Sequence, residues 1–169
     1  MGKVAKGKIS PGRVTHAYGE ELVVFHIGMT LNRWWRPDVW MPVFRAFRPM
    51  LQELSADADS GLLGYELLVG RRGSYAVQYW SSIDKLYDYA SATDMRHRPA
   101  WSRFNAMARK VPGAVGIWHE TFLVERAESM YVDTPVFGLP GATEVVPVQT
   151  RHRRARTRLD DGATGVKDG

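Results

Sequence analysis

The sequence of 169 residues contains no cysteine. This absence excludes a disulfide framework, a thiolate metal site and a cysteine nucleophile, and it fits a reducing compartment. The sequence also lacks a run of the roughly 18 apolar residues that a membrane-spanning helix requires. The basic N-terminal residues 1–8 lack the apolar region of a secretory signal. We therefore expect a cytoplasmic protein without a membrane partner.

Familiar catalytic motifs are missing as well. The sequence has no phosphate-binding glycine-rich loop, no Gly-x-Ser-x-Gly elbow and no His-Glu-x-x-His zinc helix. His119 and Glu120 are followed by Thr121-Phe122-Leu123, so the second histidine of a zinc motif is absent. A zinc hydrolase is therefore not expected.

Positive charge is concentrated at the two ends of the chain. The formal net charge is +5, and residues 1–13 carry four basic side chains and no acidic one. Residues 150–169 carry six basic and three acidic side chains. Subtracting these contributions of +4 and +3 leaves −2 for residues 14–149. A nucleic-acid-binding domain would carry its basic patch on the folded body, so we expect no nucleic-acid partner.

The composition predicts one domain with a tail at each end. Residues 1–18 are rich in glycine and lysine and are expected to form a flexible basic arm. Residues 149–169, rich in arginine, are expected to form a disordered basic tail. The domain then spans residues 19–148, with an irregular C-terminal extension from about residue 126.

The spacing of apolar residues predicts four strands and three helical segments within this domain, the last two of which together stand for the second helix of the fold. The predicted elements are strand 21–29, helix 38–55, strands 62–69 and 74–80 around a turn at 70–73, a helix beginning at Ser81, a helical segment at 100–110 and strand 114–124. This β-α-β-β-α-β order is the ferredoxin-like arrangement, an α+β fold. The helices cover one sheet face, and the other apolar face is expected to pair with a second copy of the chain, giving a homodimer.

Two histidines and two glutamates lie in the middle of predicted strands, where an ionisable side chain needs a partner or a function: His26, Glu66, His119 and Glu120. His119 and Glu120 are consecutive, so they point to opposite faces of the sheet. In the ferredoxin-like strand order 4-1-3-2 the first and last strands are adjacent. His26 can then lie near His119, on the same or the opposite face depending on register. The alternative interpretation is that each histidine is a hydrogen-bonded core residue.

The aromatic content allows two interpretations. Six tryptophans and seven tyrosines can form the core and a dimer interface, or line a flat apolar cavity for an aromatic, polyketide-like or porphyrin ligand. The candidate ligand-binding residues are Tyr79, Trp80, Trp101, Trp118, Tyr131 and, at a predicted helix break, His97.

Several short segments occur in an order typical of one family. They are His26-Ile-Gly-Met29, Gly61-Leu-Leu-Gly64, Gln78-Tyr-Trp-Ser81, His97-Arg-Pro-Ala-Trp101, Gly116-Ile-Trp-His-Glu-Thr121 and Pro135-Val-Phe-Gly-Leu139. Across about residues 18–145 the sequence resembles the small monooxygenase-like family related to the antibiotic-biosynthesis monooxygenases. This resemblance implies a dimeric α/β barrel made of two ferredoxin-like protomers.

Proteins of this fold include cofactor-independent oxygenases, haem enzymes and proteins without a known reaction, and the fold cannot choose among them. Of these we expect an oxidoreductase that acts on an aromatic or polyketide-like small molecule without a cofactor. His119 is then the candidate base, and His26 or Glu120 would orient it. The first alternative is a haem enzyme with His119, His26 or His97 as the iron ligand. The second is a non-catalytic dimeric binding module. We therefore expect haem or no cofactor, with a small-molecule substrate and a second copy of the chain as partners.

Overall fold

Two antiparallel sheets and several helices form the part of the chain that the structure describes. The computed structural model describes residues 8–91, 102, 106 and 110–160. Its elements are β1 Ile9–Ala17, β2 Leu22–Leu31, α1 Pro37–Ala56, β3 Leu62–Gly70, β4 Gly73–Trp80, α2 Ile83–Ser91, β5 Val115–Val124, β6 Tyr131–Pro135, α3 Gly138–Ala142, β7 Glu144–Pro147, a 3-10 turn Thr150–His152 and α4 Ala155–Asp160.

The larger sheet has four antiparallel strands in the order β3-β4-β2-β5. This is the predicted order 4-1-3-2 of the ferredoxin-like arrangement, read from the other edge. The predicted α+β fold class is therefore confirmed. The helical segment predicted at residues 100–110 lies for the most part outside the described residues.

One face of the larger sheet packs against the helices. Val23 of β2 and Trp80 of β4 are fully buried there, together with Leu54 of α1 and Leu86 of α2. The Trp80 indole donates a hydrogen bond of 2.9 Å to the side-chain carbonyl of Gln78 on the same strand. The polar atom of the buried indole is therefore satisfied, as a stable core requires.

The other face carries the alternate residues of the same strands, and we call it the open face. Gly28 lies in its centre, opposite Tyr75 on β4 and Trp118 on β5. A Cβ atom at Gly28 would lie 2.6 Å from Tyr75 Cβ and 2.7 Å from Trp118 Cζ2. Because Gly28 has no side chain, the rings of Tyr75 and Trp118 meet over the strand, with centroids 5.8 Å apart.

A second sheet pairs β1 with β6 and β7, in the order β6-β1-β7. Residues 9–17 form its central strand, so the predicted flexible arm is wrong over these residues. The physical reason is burial: Val14 and Ala17 are 7% and 6% exposed, and His16 is 1% exposed. His16 Nδ1 lies 2.8 Å from Ser129 Oγ. Burial lowers the pKa of His16, and the charge of nearby Glu128 partly opposes that shift.

The C-terminal region also differs from its prediction. Residues 150–160 form the 3-10 turn and α4 instead of a disordered tail. Arg158 is 5% exposed and donates to the carboxylate of Glu128. It also donates to the carbonyl oxygens of His152 and Arg153, at 2.7 and 3.0 Å. One buried arginine therefore anchors a segment whose composition predicts disorder.

None of the helices in the described residues is both long enough and apolar enough to cross a lipid bilayer.

The close approach at Gly28 gives a stability prediction. We expect Gly28→Ala to lower the free energy of unfolding by about 1–3 kcal/mol, because the new Cβ overlaps Tyr75 and the ring of Trp118. Gly116→Ala is the matched control on the adjacent strand, since its nearest neighbours are Thr30 Cβ at 3.7 Å and Asn32 Nδ2 at 3.8 Å. Urea unfolding followed by circular dichroism measures both variants. Equal stability of the two variants would contradict the close packing over Gly28.

Candidate functional site

The register between β2 and β5 brings two of the predicted site residues together. His26 lies directly opposite Glu120, so both side chains are on the open face. His26 Nδ1 lies 3.7 Å from Glu120 Oε2, and the side chains are 28% and 59% exposed. This is an ion-pair distance, longer than a hydrogen bond. A small rotation of the exposed carboxylate would bring it into hydrogen-bonding range.

Aromatic rings surround the imidazole of His26. The ring of Phe122 meets it edge-on with centroids 5.3 Å apart. The ring of Tyr75 lies 6.4 Å away on the other side, and Trp118 packs against Tyr75. The ionisable pair therefore lies on an apolar surface suited to a flat ligand.

The C-terminal extension forms the opposite wall of this surface. The backbone N–H of Gly138, the first residue of α3, donates a hydrogen bond of 3.1 Å to Glu66 Oε1 on β3. A Cβ atom at Gly138 would lie 2.5 Å from the hydroxyl oxygen of Tyr131 and 3.6 Å from that of Tyr79. Both phenols thus lie close to the start of α3. Gly138 has a φ of +61°, the left-handed conformation that favours glycine.

The two phenols at this wall have raised pKa values. Burial raises the pKa of Tyr79 to about 12, and the neighbouring Tyr131 and Glu66 add to the shift. Burial also raises the pKa of Tyr131, as does Glu66, while a hydrogen bond from the backbone of Leu139 acts in the opposite direction. Both side chains therefore remain neutral at physiological pH and can donate hydrogen bonds.

The His26–Glu120 pair lies on the same side of the larger sheet as the phenols of Tyr79 and Tyr131, which we call the tyrosine wall. Val77 lies opposite His26 on β4, and Glu66 lies opposite Val77 on β3. Two strand spacings of roughly 4.8 Å therefore separate the backbones at His26 and Glu66. Val77 is the open-face residue between them. The group that we call the open-face site consists of His26, Glu66, Tyr75, Tyr79, Trp118, Glu120, Phe122 and Tyr131.

His119 is not part of this group. It lies opposite Ile27 and therefore on the helix-covered face, where its ring contacts Phe25 with centroids 5.7 Å apart. The predicted orientation of His119 by His26 or Glu120 is wrong, because the register places His119 on the other side of the sheet. The pairing that the structure shows is His26 with Glu120.

The remaining predicted residues that the structure describes divide between the open-face site and the core. Tyr79, Trp118 and Tyr131 lie at the open-face site, whereas Trp80 is a fully buried core residue and cannot line a cavity. His97 and Trp101 lie outside the described residues.

The predicted site residues did not include Tyr75, Phe122 or Glu66. The alternation of side chains along a strand could have predicted two of them. Tyr75 lies on the same face as Tyr79, and Phe122 lies on the same face as Glu120. Across the described part of the chain, no group of three or more histidine, aspartate or glutamate side chains is arranged to hold a metal ion.

Residues 22–139, well over half of the chain, match the protein family described as Monooxygenase af470-like. The chain belongs to this family. The predicted relationship to the monooxygenases is thereby confirmed, and the match covers the larger sheet, β6 and the start of α3. No curated protein matches the chain.

One solved structure shows the same fold at low sequence identity. The aldoxime dehydratase OxdRE, crystallised with butyraldoxime, is 14% identical with a TM-score of 0.52; the match covers 71% of this chain and 38% of that chain. This similarity shows the fold alone.

Two further structures match with lower scores. SnoaB, a cofactor-independent oxygenase from Streptomyces nogalater, is 14% identical with a TM-score of 0.45, covering 63% of this chain and 96% of that chain. A dimeric ferredoxin-like protein from Jannaschia sp. CCS1 is 14% identical with a TM-score of 0.42, covering 58% and 97%.

The raised pKa of Tyr79 gives a prediction for alkaline pH. Because the pKa is about 12 in the folded protein and about 10 in an unfolded chain, the neutral phenol stabilises the fold below pH 10. This contribution is lost as the pH rises from 10 to 12. Tyrosinate absorbance should show a late step near pH 12 that disappears in Tyr79→Phe. Tyr87→Phe, which changes a 60% exposed tyrosine, should leave that step in place. A late step that persists in Tyr79→Phe would contradict the assignment.

Proposed function

We propose that this member of the Monooxygenase af470-like family oxidises an aromatic or polyketide-like small molecule at the open-face site, without a bound cofactor. The observation that carries the proposal is the His26–Glu120 pair, 3.7 Å apart, on a surface lined by Phe122 and Tyr75. Family membership supports oxygenase chemistry. The aromatic surroundings support a flat, largely apolar substrate.

The pair can begin such a reaction by removing a proton. His26 would take a proton from an acidic CH₂ group next to a ketone or a phenol ring, and Glu120 would stabilise the resulting imidazolium. The substrate carbanion can then give an electron to O₂, and the two radicals combine into a peroxide anion. This anion takes the proton back from the imidazolium of His26 and becomes a hydroperoxide. Loss of water leaves a carbonyl group. One oxygen atom enters the product and the other leaves as water, so the four-electron oxidation of CH₂ balances the reduction of O₂.

Tyr79 and Tyr131 would bind the substrate from the other wall. A carbanion next to a ketone places negative charge on the carbonyl oxygen, and neutral phenols are suited to donate hydrogen bonds to it. Both phenols are protonated at physiological pH, as tyrosines with an ordinary or a raised pKa are, so both are available as donors.

We propose that a second copy of the chain closes the open-face site. On the open face Phe122 is 47% exposed and Leu68 is 41% exposed, and reactive oxygen intermediates require a site from which water is excluded. Packing of two open faces would bury these side chains and enclose His26. The proposal therefore includes a homodimer, with each sheet covering the site of its partner.

Oxygen uptake with anthrones, which carry such a CH₂ group, tests the assignment. We expect His26→Ala to lower kcat/KM by roughly 10²–10⁴-fold and Glu120→Gln by about 10–100-fold. His119→Ala, on the opposite face, is the matched control and should leave kcat/KM nearly unchanged. Activity lost in His119→Ala but kept in His26→Ala would overturn the choice of His26 as base. A monomer in sedimentation velocity at all concentrations would overturn closure by a second copy.

The same pair favours haem binding as a second candidate function. A histidine that ligates a metal commonly has a carboxylate near its other ring nitrogen, and Glu120 lies near Nδ1 of His26. The flat aromatic surroundings also suit a porphyrin. Titration with haemin should then give a saturable Soret band that His26→Ala abolishes and His119→Ala retains. A flat spectrum without saturable binding would exclude this candidate. Substrate binding with neither a Soret band nor oxygen uptake would instead favour a non-catalytic binding module.

A further inference from the structure

The connection between β2 and α1 presents two tryptophans on a rigid turn. The backbone N–H of Arg36 donates to the carbonyl of Arg33 at 3.0 Å, so Trp34 and Trp35 occupy the two central positions of a β-turn. The indole of Trp40 donates a hydrogen bond of 3.0 Å to the carbonyl of Trp34. The N–H groups of residues 32 and 33 both donate to the carbonyl of Ala114, each at 3.1 Å. The turn is therefore fixed to α1 and to the start of β5.

Both indoles of this turn face solvent. Trp34 is 72% exposed and Trp35 is 59% exposed, and their rings meet edge-on with centroids 6.1 Å apart. Neither ring contributes to the two core clusters. Adjacent exposed aromatic side chains of this size mark an interaction surface. The fixed backbone reduces the conformational entropy that binding would remove.

Basic side chains surround the turn. The N–H of Leu31 donates to the carbonyl of Arg72 at 2.7 Å, which brings the β3–β4 turn to the same end of the sheet, and Ala114 brings the segment 110–114 there. These three segments, residues 32–38, 70–73 and 110–114, contain Arg33, Arg36, Arg71, Arg72 and Lys110. Their one acidic residue, Asp38, is held by two hydrogen bonds from Arg36, at 2.8 and 2.6 Å. The net charge of the three segments is therefore +4.

We propose that this end of the sheet, which we call the Trp34–Trp35 surface, docks on anionic lipid bilayers. Tryptophan prefers the boundary between headgroups and acyl chains, because its ring is apolar and its N–H is polar. Exposed Arg71 and Arg72 would meet lipid phosphates at the same depth. Val69, 81% exposed beside that turn, adds an apolar side chain. The protein binds the membrane from one side and needs no spanning helix.

A bilayer fits these observations better than a protein partner does. Two indoles at the tip of a turn form a narrow projection, which inserts readily into a deformable lipid boundary. A protein partner would need a pocket that matches both rings. The three segments carry a net positive charge, and their one carboxylate is bound by Arg36. This positive surface complements an anionic headgroup layer. The inference does not depend on the proposed oxygenase activity, and it revises the expectation that the protein has no membrane partner.

Vesicle sedimentation with the full chain tests the proposal. We expect wild-type protein to sediment with vesicles of phosphatidylcholine and phosphatidylglycerol in equal parts, and much less with phosphatidylcholine alone. The double variant Trp34→Ser/Trp35→Ser should bind the mixed vesicles roughly tenfold more weakly. The double variant Arg71→Gln/Arg72→Gln should bind roughly tenfold more weakly and with less dependence on salt.

Two control variants carry matched changes on other surfaces. Tyr87→Ser removes an aromatic side chain of similar exposure, 60%, and Arg156→Gln removes a charge whose side chain is 91% exposed. Both should bind mixed vesicles as the wild type does. A second measurement needs no variant: brominated phosphatidylcholine, mixed with phosphatidylglycerol, should quench wild-type tryptophan fluorescence.

Three results would overturn the proposal. The first is wild-type protein that stays in solution with mixed vesicles, or is not quenched by brominated lipid. The second is undiminished binding by the double tryptophan variant. The third is a dimer that dissociates when Trp34 and Trp35 are replaced in the absence of lipid, because that would assign the surface to contact between copies of the chain.

Discussion

Ten consecutive residue pairs between β2 and β5, from Leu22 opposite Val124 to Leu31 opposite Val115, determine which side chains can act together. In an antiparallel pair, directly opposite residues share a face, and a slip of one residue would exchange the faces. Burial of Val23 in the helix-covered core and the crossing of Trp118 over Gly28 both depend on this register. The contact between His26 and Glu120 is a consequence of it, as is the separation of His119 from both.

The second sheet completes the site from the other side. Strand β1 lies between β6 and β7, so the N-terminal strand holds in place the extension that carries Tyr131 and α3. The hydrogen bond from Gly138 to Glu66 then joins the extension to the edge of the larger sheet. Arg158 and Glu128 connect α4 to the same extension. The tyrosine wall therefore depends on residues that lie far from it in the sequence.

Elements that depend on local pattern were predicted well. The helix predicted at 38–55 is observed at Pro37–Ala56, and the hairpin strands predicted at 62–69 and 74–80 are observed at Leu62–Gly70 and Gly73–Trp80. Strand β1 was missed because its partners lie more than a hundred residues away, with Arg13 opposite Val132. The glycine and lysine residues before it gave that region the composition of a flexible arm. Trp80 was misassigned because aromatic composition does not show which strand face meets the helices.

The amino-acid sequence by itself determined the strand alternation that sets His119 and Glu120 on opposite faces, and the absence of thiol chemistry. Both are local properties, since they depend only on residue type and on the two-residue period of a strand. The tertiary structure alone decided that His26 faces Glu120, that Trp80 is core, that His16 and Arg158 are buried, and that Trp34 and Trp35 project beside basic turns. These outcomes depend on register and packing between segments that are distant in the sequence. The sum of many contact free energies determines that register and packing.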